Sequence, residues 1–151
     1  MNYIMNLRKI VGSRPLIMVG ACVIVLTKSK QILLQLRKDN NCWGLAGGSL
    51  ELGETLEEAA KRELYEEMGL IANKLELFNI YSGEKFYYKY PHGDEVYNVV
   101  AAYICDNYEG ELRIDEAESQ AISFFDLSNL PPNISPPDLP IINEFINRSN
   151  L

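Results

Sequence analysis

Three carboxylates, Glu63, Glu66 and Glu67, stand at i, i+3 and i+4 within the stretch GSLELGETLEEAAKRELYEEMGL, residues 48–70. On a helix these side chains share one face, and their repulsion costs about 0.2–0.5 kcal/mol per close pair. Arg62 can relieve Glu58 or Glu66, each four residues away, but cannot neutralise the whole group. One reading is a plain solvated acidic face. The other is capture of a hard divalent cation. Carboxylates converging from one rigid element suit Mg2+ or Mn2+, with waters and substrate phosphates completing the octahedron. Two features favour the cation. Gly47-Gly48 precedes the stretch, where bare backbone can approach a ligand, and two more acids, Glu116 and Glu118, wait in a later segment before a strand.

The elements that must position these groups can be read along the chain. Thr55-Leu56-Glu57-Glu58 fits a capping box that starts a helix, and Gly69 fits a left-handed C-terminal residue that ends it. Leu56, Ala59, Ala60, Leu64 and Met68 make the apolar stripe that faces a core. Upstream, residues 2–11 read as a short amphipathic helix closed by Gly12. A strand at about 18–27 and a second over QILLQLR, 31–37, read as a hairpin. Further strands are expected at 75–81, 85–90, 95–105 and 121–125, with an acidic loop over 108–118. Five prolines between 131 and 140 mark a wrapped connection, and Asp138 is placed to cap a last helix carrying Ile141, Ile142, Phe145 and Ile146. Strands on both sides of a central helix, with a second helix at the end, predict one α/β domain over 1–151 with a mixed sheet between helices.

The bulk properties narrow the function. A chain of 151 residues with net charge -7 can build one sizeable core. It lacks the basic excess of a nucleic-acid coat or an anionic-membrane binder, so neither nucleic acid nor membrane is expected as a partner. Cys22, Cys42 and Cys105 are odd in number and far apart, and His92 is the only histidine, which argues against zinc or a disulfide framework. The apolar run Leu16–Leu26 is too short for a bilayer and lacks a cleavage pattern, so a buried strand and a cytoplasmic protein are expected.

Gly48, Glu54, Arg62-Glu63-Leu64, Glu66-Glu67 and Gly69-Leu70 fit the pattern G-x5-E-x7-R-E-U-x-E-E-x-G-U, with U aliphatic, at every defined position. The chain thereby resembles the Nudix (MutT-like) hydrolases. The pattern covers 23 residues, and WGLAGG before it and FFDLSNLP near the end extend the likeness. The resemblance implies an α/β/α sandwich with a mixed sheet. It also implies a Mg2+- or Mn2+-dependent enzyme that cleaves a phosphoanhydride in a nucleoside diphosphate linked to another moiety. Carried over by position, Glu63, Glu66 and Glu67 would be metal ligands with the Gly47 carbonyl, and Arg62 would orient the glutamates. Glu54 would support the unit by pairing with Arg62. Ala46 departs from the family, where many members carry proline.

A general base must also be supplied. Glu118 is favoured, with Glu116 and Glu63 as rivals; as a metal-site residue Glu118 would stand beside the box glutamates. Arg37 and Lys38 end a strand before the glycine-rich turn and could meet phosphates. Trp43, Phe86, Tyr87, Tyr88 and Tyr97 offer faces for stacking on a base, or equally for packing a sheet. Relatives that cleave ADP-ribose often carry proline where this chain has Lys85, and those that cleave dinucleoside polyphosphates a tyrosine where it has Tyr87. The substrate is therefore left as a nucleoside triphosphate, a dinucleoside polyphosphate or a nucleotide sugar. The rival reading is a Nudix-fold sensor that binds a nucleotide without cleaving it. The N-terminal helix is open to two roles, a homodimer contact or a lid on the core.

Overall fold

The structure is a computed structural model and describes residues 2–149; Met1, Asn150 and Leu151 of the expected 1–151 domain lie outside the described residues. Helix α1 spans Tyr3–Val11, capped by the Asn2 side chain and closed at Gly12. Strand β1, Leu16–Val25, pairs in parallel with β7, Glu95–Gly110, and antiparallel with β4, Ala46–Ser49. On its far side β7 pairs with β5, Leu70–Tyr81, and near its start with the short β6, Tyr87–Lys89. These strands make a mixed sheet in the order β4-β1-β7-β5. A second, antiparallel sheet has the order β3-β2-β8, from Trp43–Gly44, Gln31–Arg37 and Ser119–Asp126. Helix α2, Leu56–Met68, covers one face, and α3, Leu139–Ser149, covers the other.

The expected hairpin of β1 and β2 does not form as a ladder. A tight turn joins them, with Thr27 N–H donating to Gln31 O and Lys30 N–H to Thr27 O. Past the single bridge Leu26–Ile32 the strands part into different sheets. The reason is burial on two faces. In β1, Ala21, Val23 and Val25 pack toward α2, while Cys22 and Ile24 pack toward α3. In β2, Leu33 faces α2, while Ile32 and Leu34 face α3. A strand buried on both faces reads as a continuous apolar run, with no sign of which neighbour it takes. Other bounds shift modestly: β5 begins at Leu70 directly after the helix cap, and β7 runs on to Gly110.

Helix α2 is built as its sequence demands. Thr55 Oγ1 accepts from Glu58 N–H and Glu58 Oε1 accepts from Thr55 N–H, both at 3.1 Å. Gly69 ends it in the left-handed region at φ 78, its N–H bonded to Tyr65 O. Ala59, Ala60, Leu64 and Met68 are buried as the stripe requires. Asp138 does precede α3, but its carboxylate crosses to Leu45 N–H at 3.0 Å and leaves the helix start to its backbone carbonyl. Glu51 accepts from Tyr3 N–H and so ties α1 to the loop before α2.

Candidate active site

The box residues meet in one cleft between α2, β4 and the segment before β8. Gly47, Gly48, Glu63, Glu66, Glu67 and Glu118 all line it. Glu67 follows Ala60 and Leu64 by helical spacing, so it falls in the buried stripe and not on the solvated face. It is 9% exposed. Its Oε2 accepts from Gly47 N–H at 2.8 Å and its Oε1 from Gln35 Nε2 at 3.0 Å. Burial, reinforced by the neighbouring Glu63, pushes its carboxyl up to about 8. Glu63 is also raised by burial, with Arg62 pulling the other way. The Glu66 side chain stands 53% exposed at the mouth.

Arg62 holds the unit together. It donates to both oxygens of Glu54 at 2.7 and 2.9 Å, to Glu63 at 2.7 Å and to the Ser49 carbonyl at 3.1 Å. Its hydrogen bonds hold the Glu54 carboxyl below the usual carboxylate range. Glu63 in turn lies against bare backbone, for a Cβ on Gly48 would sit 2.5 Å from its carboxylate. Glycine here is a matter of space and not of backbone angle.

Among the described residues, no three potential ligands are gathered closely enough to hold an ion as they stand. The physical reason is their partners: Glu63 is turned to Arg62, and Glu67 to Gly47 and Gln35. The donor set nevertheless fits a hard cation. It is all oxygen, it opens on one cleft, and the two nearby guanidinium groups are already engaged, Arg62 with Glu54 and Arg37 with Asp39. A divalent ion would supply the charge that this cleft lacks.

Glu118 faces this cleft together with Asp115, which sequence reasoning missed. Its rival Glu116 lines the neighbouring groove with Glu66, and its carbonyl accepts from Lys38 Nζ. Lys38 thus anchors the acidic segment and lines neither the cleft nor the adjoining cavity. Arg37, fixed bidentate on Asp39 at 2.9 and 2.7 Å, borders both the cleft and an adjoining cavity.

That second cavity shares Gly47, Gly48, Arg37 and Tyr90 with the first and continues to Tyr88, Asn98 and Asp138. Asp138 is half-buried at the cavity wall, and burial raises its carboxyl to about 6. The expected stacking residues Trp43 and Tyr87 are not brought here. Trp43 packs edge-on against Phe125 at 4.8 Å. Tyr87 hydrogen-bonds Glu95 and leans on Tyr97, and Phe86 is in the core. Alternation along β6 explains the exchange: when Tyr87 points outward, Tyr88 points in. Tyr88 and Tyr90 pack edge to face at the cavity wall. Gln35 was missed as well, although an amide inside an apolar strand is a legible signal of a buried polar contact.

The comparisons agree with this geometry. The NUDIX domain profile matches residues 16–145. The ADP-ribose pyrophosphatase of Methanocaldococcus jannaschii is 41% identical over 111 residues, 71% of this chain and 61% of that protein. A putative 8-oxo-dGTP diphosphatase of Bacillus subtilis is 49% identical over 67 residues, 44% of this chain and 45% of that protein. The oxidized purine nucleoside triphosphate hydrolase of Danio rerio is 32% identical over 113 residues, 72% of this chain and 67% of that protein. The chain thus spans less than two thirds of the archaeal and Bacillus relatives. The crystal structure of a MutT NUDIX hydrolase from Burkholderia pseudomallei superposes with a TM-score of 0.73 at 25% identity, covering 86% of this chain and 97% of that one. With the box geometry and the mixed sheet in agreement with these likenesses, the chain belongs to the Nudix hydrolase family.

Proposed function

We propose that this chain, as one domain, hydrolyses a phosphoanhydride in a nucleoside diphosphate linked to another moiety, with Mg2+ or Mn2+. The observation that carries the reading is Glu67. A carboxyl that deep, with Glu63 beside it and with Arg62 and Arg37 bonded to other carboxylates, ionises at a cost that a cation in the cleft would offset. A solvated acidic surface does not bury its charge.

Glu63, Glu66, Glu67 and the Gly47 carbonyl would hold the metal, which when bound neutralises phosphate charge and polarises phosphorus. Arg62, itself fixed on Glu54 and Ser49, keeps Glu63 aligned. Arg37, at the junction of cleft and cavity, steadies the phosphate chain. Glu118 takes the proton from the attacking water, with Asp115 alongside. Tyr88 and Tyr90 receive the base, and Asp138 accepts a hydrogen bond from one of its N–H groups. The substrate is a nucleoside triphosphate, a dinucleoside polyphosphate or a nucleotide sugar. The relatives named above act on ADP-ribose and on oxidized purine triphosphates, and both fit this class.

The reading places the chain in the cytoplasm; no helix among the described residues is long and apolar enough to cross a membrane. It acts as a monomer or as a homodimer joined through the exposed Met5 and Ile10 of α1, which sedimentation distinguishes. The functional test is a panel of the three substrate types with Mg2+ or Mn2+. Wild type should release nucleotide products, and the double variant Glu66→Gln/Glu67→Gln should not. Equal rates in the two proteins sink the hydrolase reading. Tight nucleotide binding without turnover favours the sensor.

A further inference from the structure

Resting on the metal-dependent reading above, we infer that Gln35 and Ser119 form a buried relay that sets the direction of the Glu67 carboxylate, making both of them positioning residues of the metal site. Gln35 is 1% exposed and Ser119 2%. Neither belongs to the box, and they come from β2 and β8. Ser119 Oγ lies 2.7 Å from Gln35 Oε1. Gln35 Nε2 reaches Glu67 Oε1 at 3.0 Å and the Leu45 carbonyl at 3.4 Å.

The chemistry fixes the sense of every bond. The Leu45 carbonyl can only accept, and so can Glu67 once it is ionised to hold a metal, so the amide must turn its NH2 to them. Gln35 Oε1 then faces Ser119, whose hydroxyl must donate. With Gly47 N–H on the other oxygen, each Glu67 oxygen takes one bond from the protein and keeps acceptor capacity for the cleft. The hydroxyl pairs the buried Gln35 Oε1; without it that oxygen is left unpaired and the amide that meets Glu67 is held only at its NH2 end.

The backbone is shaped to deliver that hydroxyl. Between β2 and β8 the register runs Leu36–Ala121 and then Arg37–Ser119, skipping Gln120. In an even ladder Gln120 would stand opposite Arg37, on the inward face. The bulge moves one residue, and so exchanges faces: Gln120 is exposed and Ser119 is buried against Gln35. Bulges of this kind re-aim a side chain next to a site.

The test is Mn2+ binding to the folded protein without substrate, read from loss of the free-ion EPR signal, alongside urea unfolding of each apo protein. The variants are Ser119→Ala, Ser119→Thr, Gln35→Met and the double Ser119→Ala/Gln35→Met. Ser119→Ala and Gln35→Met should each weaken Mn2+ binding by about 10-fold or more. Ser119→Thr, which keeps the hydroxyl, should stay within about twofold of wild type. The double variant should bind no more weakly than Gln35→Met alone, because Ser119 acts through Gln35. Wild-type affinity in Ser119→Ala, with apo stability lowered, would show a purely structural role and overturn the relay. Additive losses in the double variant would overturn it too. A wild type that binds no Mn2+ overturns the metal reading itself, and the relay falls with it.

Discussion

Arg62 clasps Glu54 with two parallel hydrogen bonds of 2.7 and 2.9 Å, so the loop that enters α2 and the middle of α2 move as one piece. The same guanidinium holds Glu63 at 2.7 Å. Lysine cannot reproduce this fork. Arg62→Lys should therefore lower metal-dependent turnover by about 10–100-fold. A turnover assay at saturating Mg2+ checks it, with circular dichroism to confirm that the helix persists.

Gly48 and Gly20 are both intolerant of a Cβ, for different reasons. On Gly48 the added carbon meets the mobile end of Glu63 at 2.5 Å. On Gly20 it meets the Gly48 carbonyl, which is backbone, also at 2.5 Å. Gly48→Ala should keep its unfolding midpoint and lose turnover, because only the Glu63 carboxylate, proposed as a metal ligand, is displaced. Gly20→Ala should lose stability by about 1–3 kcal/mol, because strands must shift. Chemical denaturation and a turnover assay on both variants separate the two effects.

Asp138 makes acid stability readable. Its folded pKa of about 6 lies above the ordinary 3.8, so between those values the folded chain holds the extra proton. Its contribution is fully present below pH 3.8 and is lost as pH rises through about 6. At about 1.4 kcal/mol per pH unit the loss comes to about 3 kcal/mol. Asp138→Asn keeps an acceptor for Leu45 N–H without that charge. The stability gap between the variant and wild type should widen from pH 4 to pH 7 and stay constant above. Urea midpoints across that range test it.

Metal addition should stabilise wild type and not the Glu66→Gln/Glu67→Gln variant. At 100 times the dissociation constant the gain is about 2.7 kcal/mol. A chelator should reverse it. Thermal melts with Mn2+, with and without chelator, give the comparison; an equal rise in both proteins would place the ion elsewhere.

Substrate affinity should follow Tyr90 and not Trp43. Tyr90→Ala opens the wall shared by cleft and cavity and should raise KM. Trp43→Phe alters only the contact with Phe125 and should leave KM unchanged. Steady-state kinetics on the two variants decides it.

The site was legible where chemistry is written in contiguous residues. The capping box, Gly69, and the grouping of Glu63, Glu66 and Glu67 all follow from spacing within one helix, whereas the pairing of Arg62 with Glu54, which lies before that helix, was implied only by the family resemblance. What escaped depends on partners distant in sequence. Gln35 and Ser119 lie 84 positions apart, and only a bulge makes them meet. Leu45 and Asp138 are 93 apart, so a residue suited to capping α3 serves the glycine-rich turn instead. Tyr87, Tyr88 and Tyr90 look alike as a sequence, and only the phase of β6 chooses which faces the cavity. The β1–β2 hairpin failed for the same reason: a turn signal fixes proximity at the turn, while strand partners are chosen by the whole sheet.

The parallel ladder of β1 and β7 has a consequence for how the chain assembles. It joins Leu16–Val25 to Val96–Cys105, with the entire box between them. Contacts so remote along the chain are slow to find, whereas a capped helix forms locally and early. Helix α2 should therefore form before the sheet that supports it, with its acidic face in water until β7 closes beside β1. During synthesis, the site is completed only when the second half of the chain has emerged.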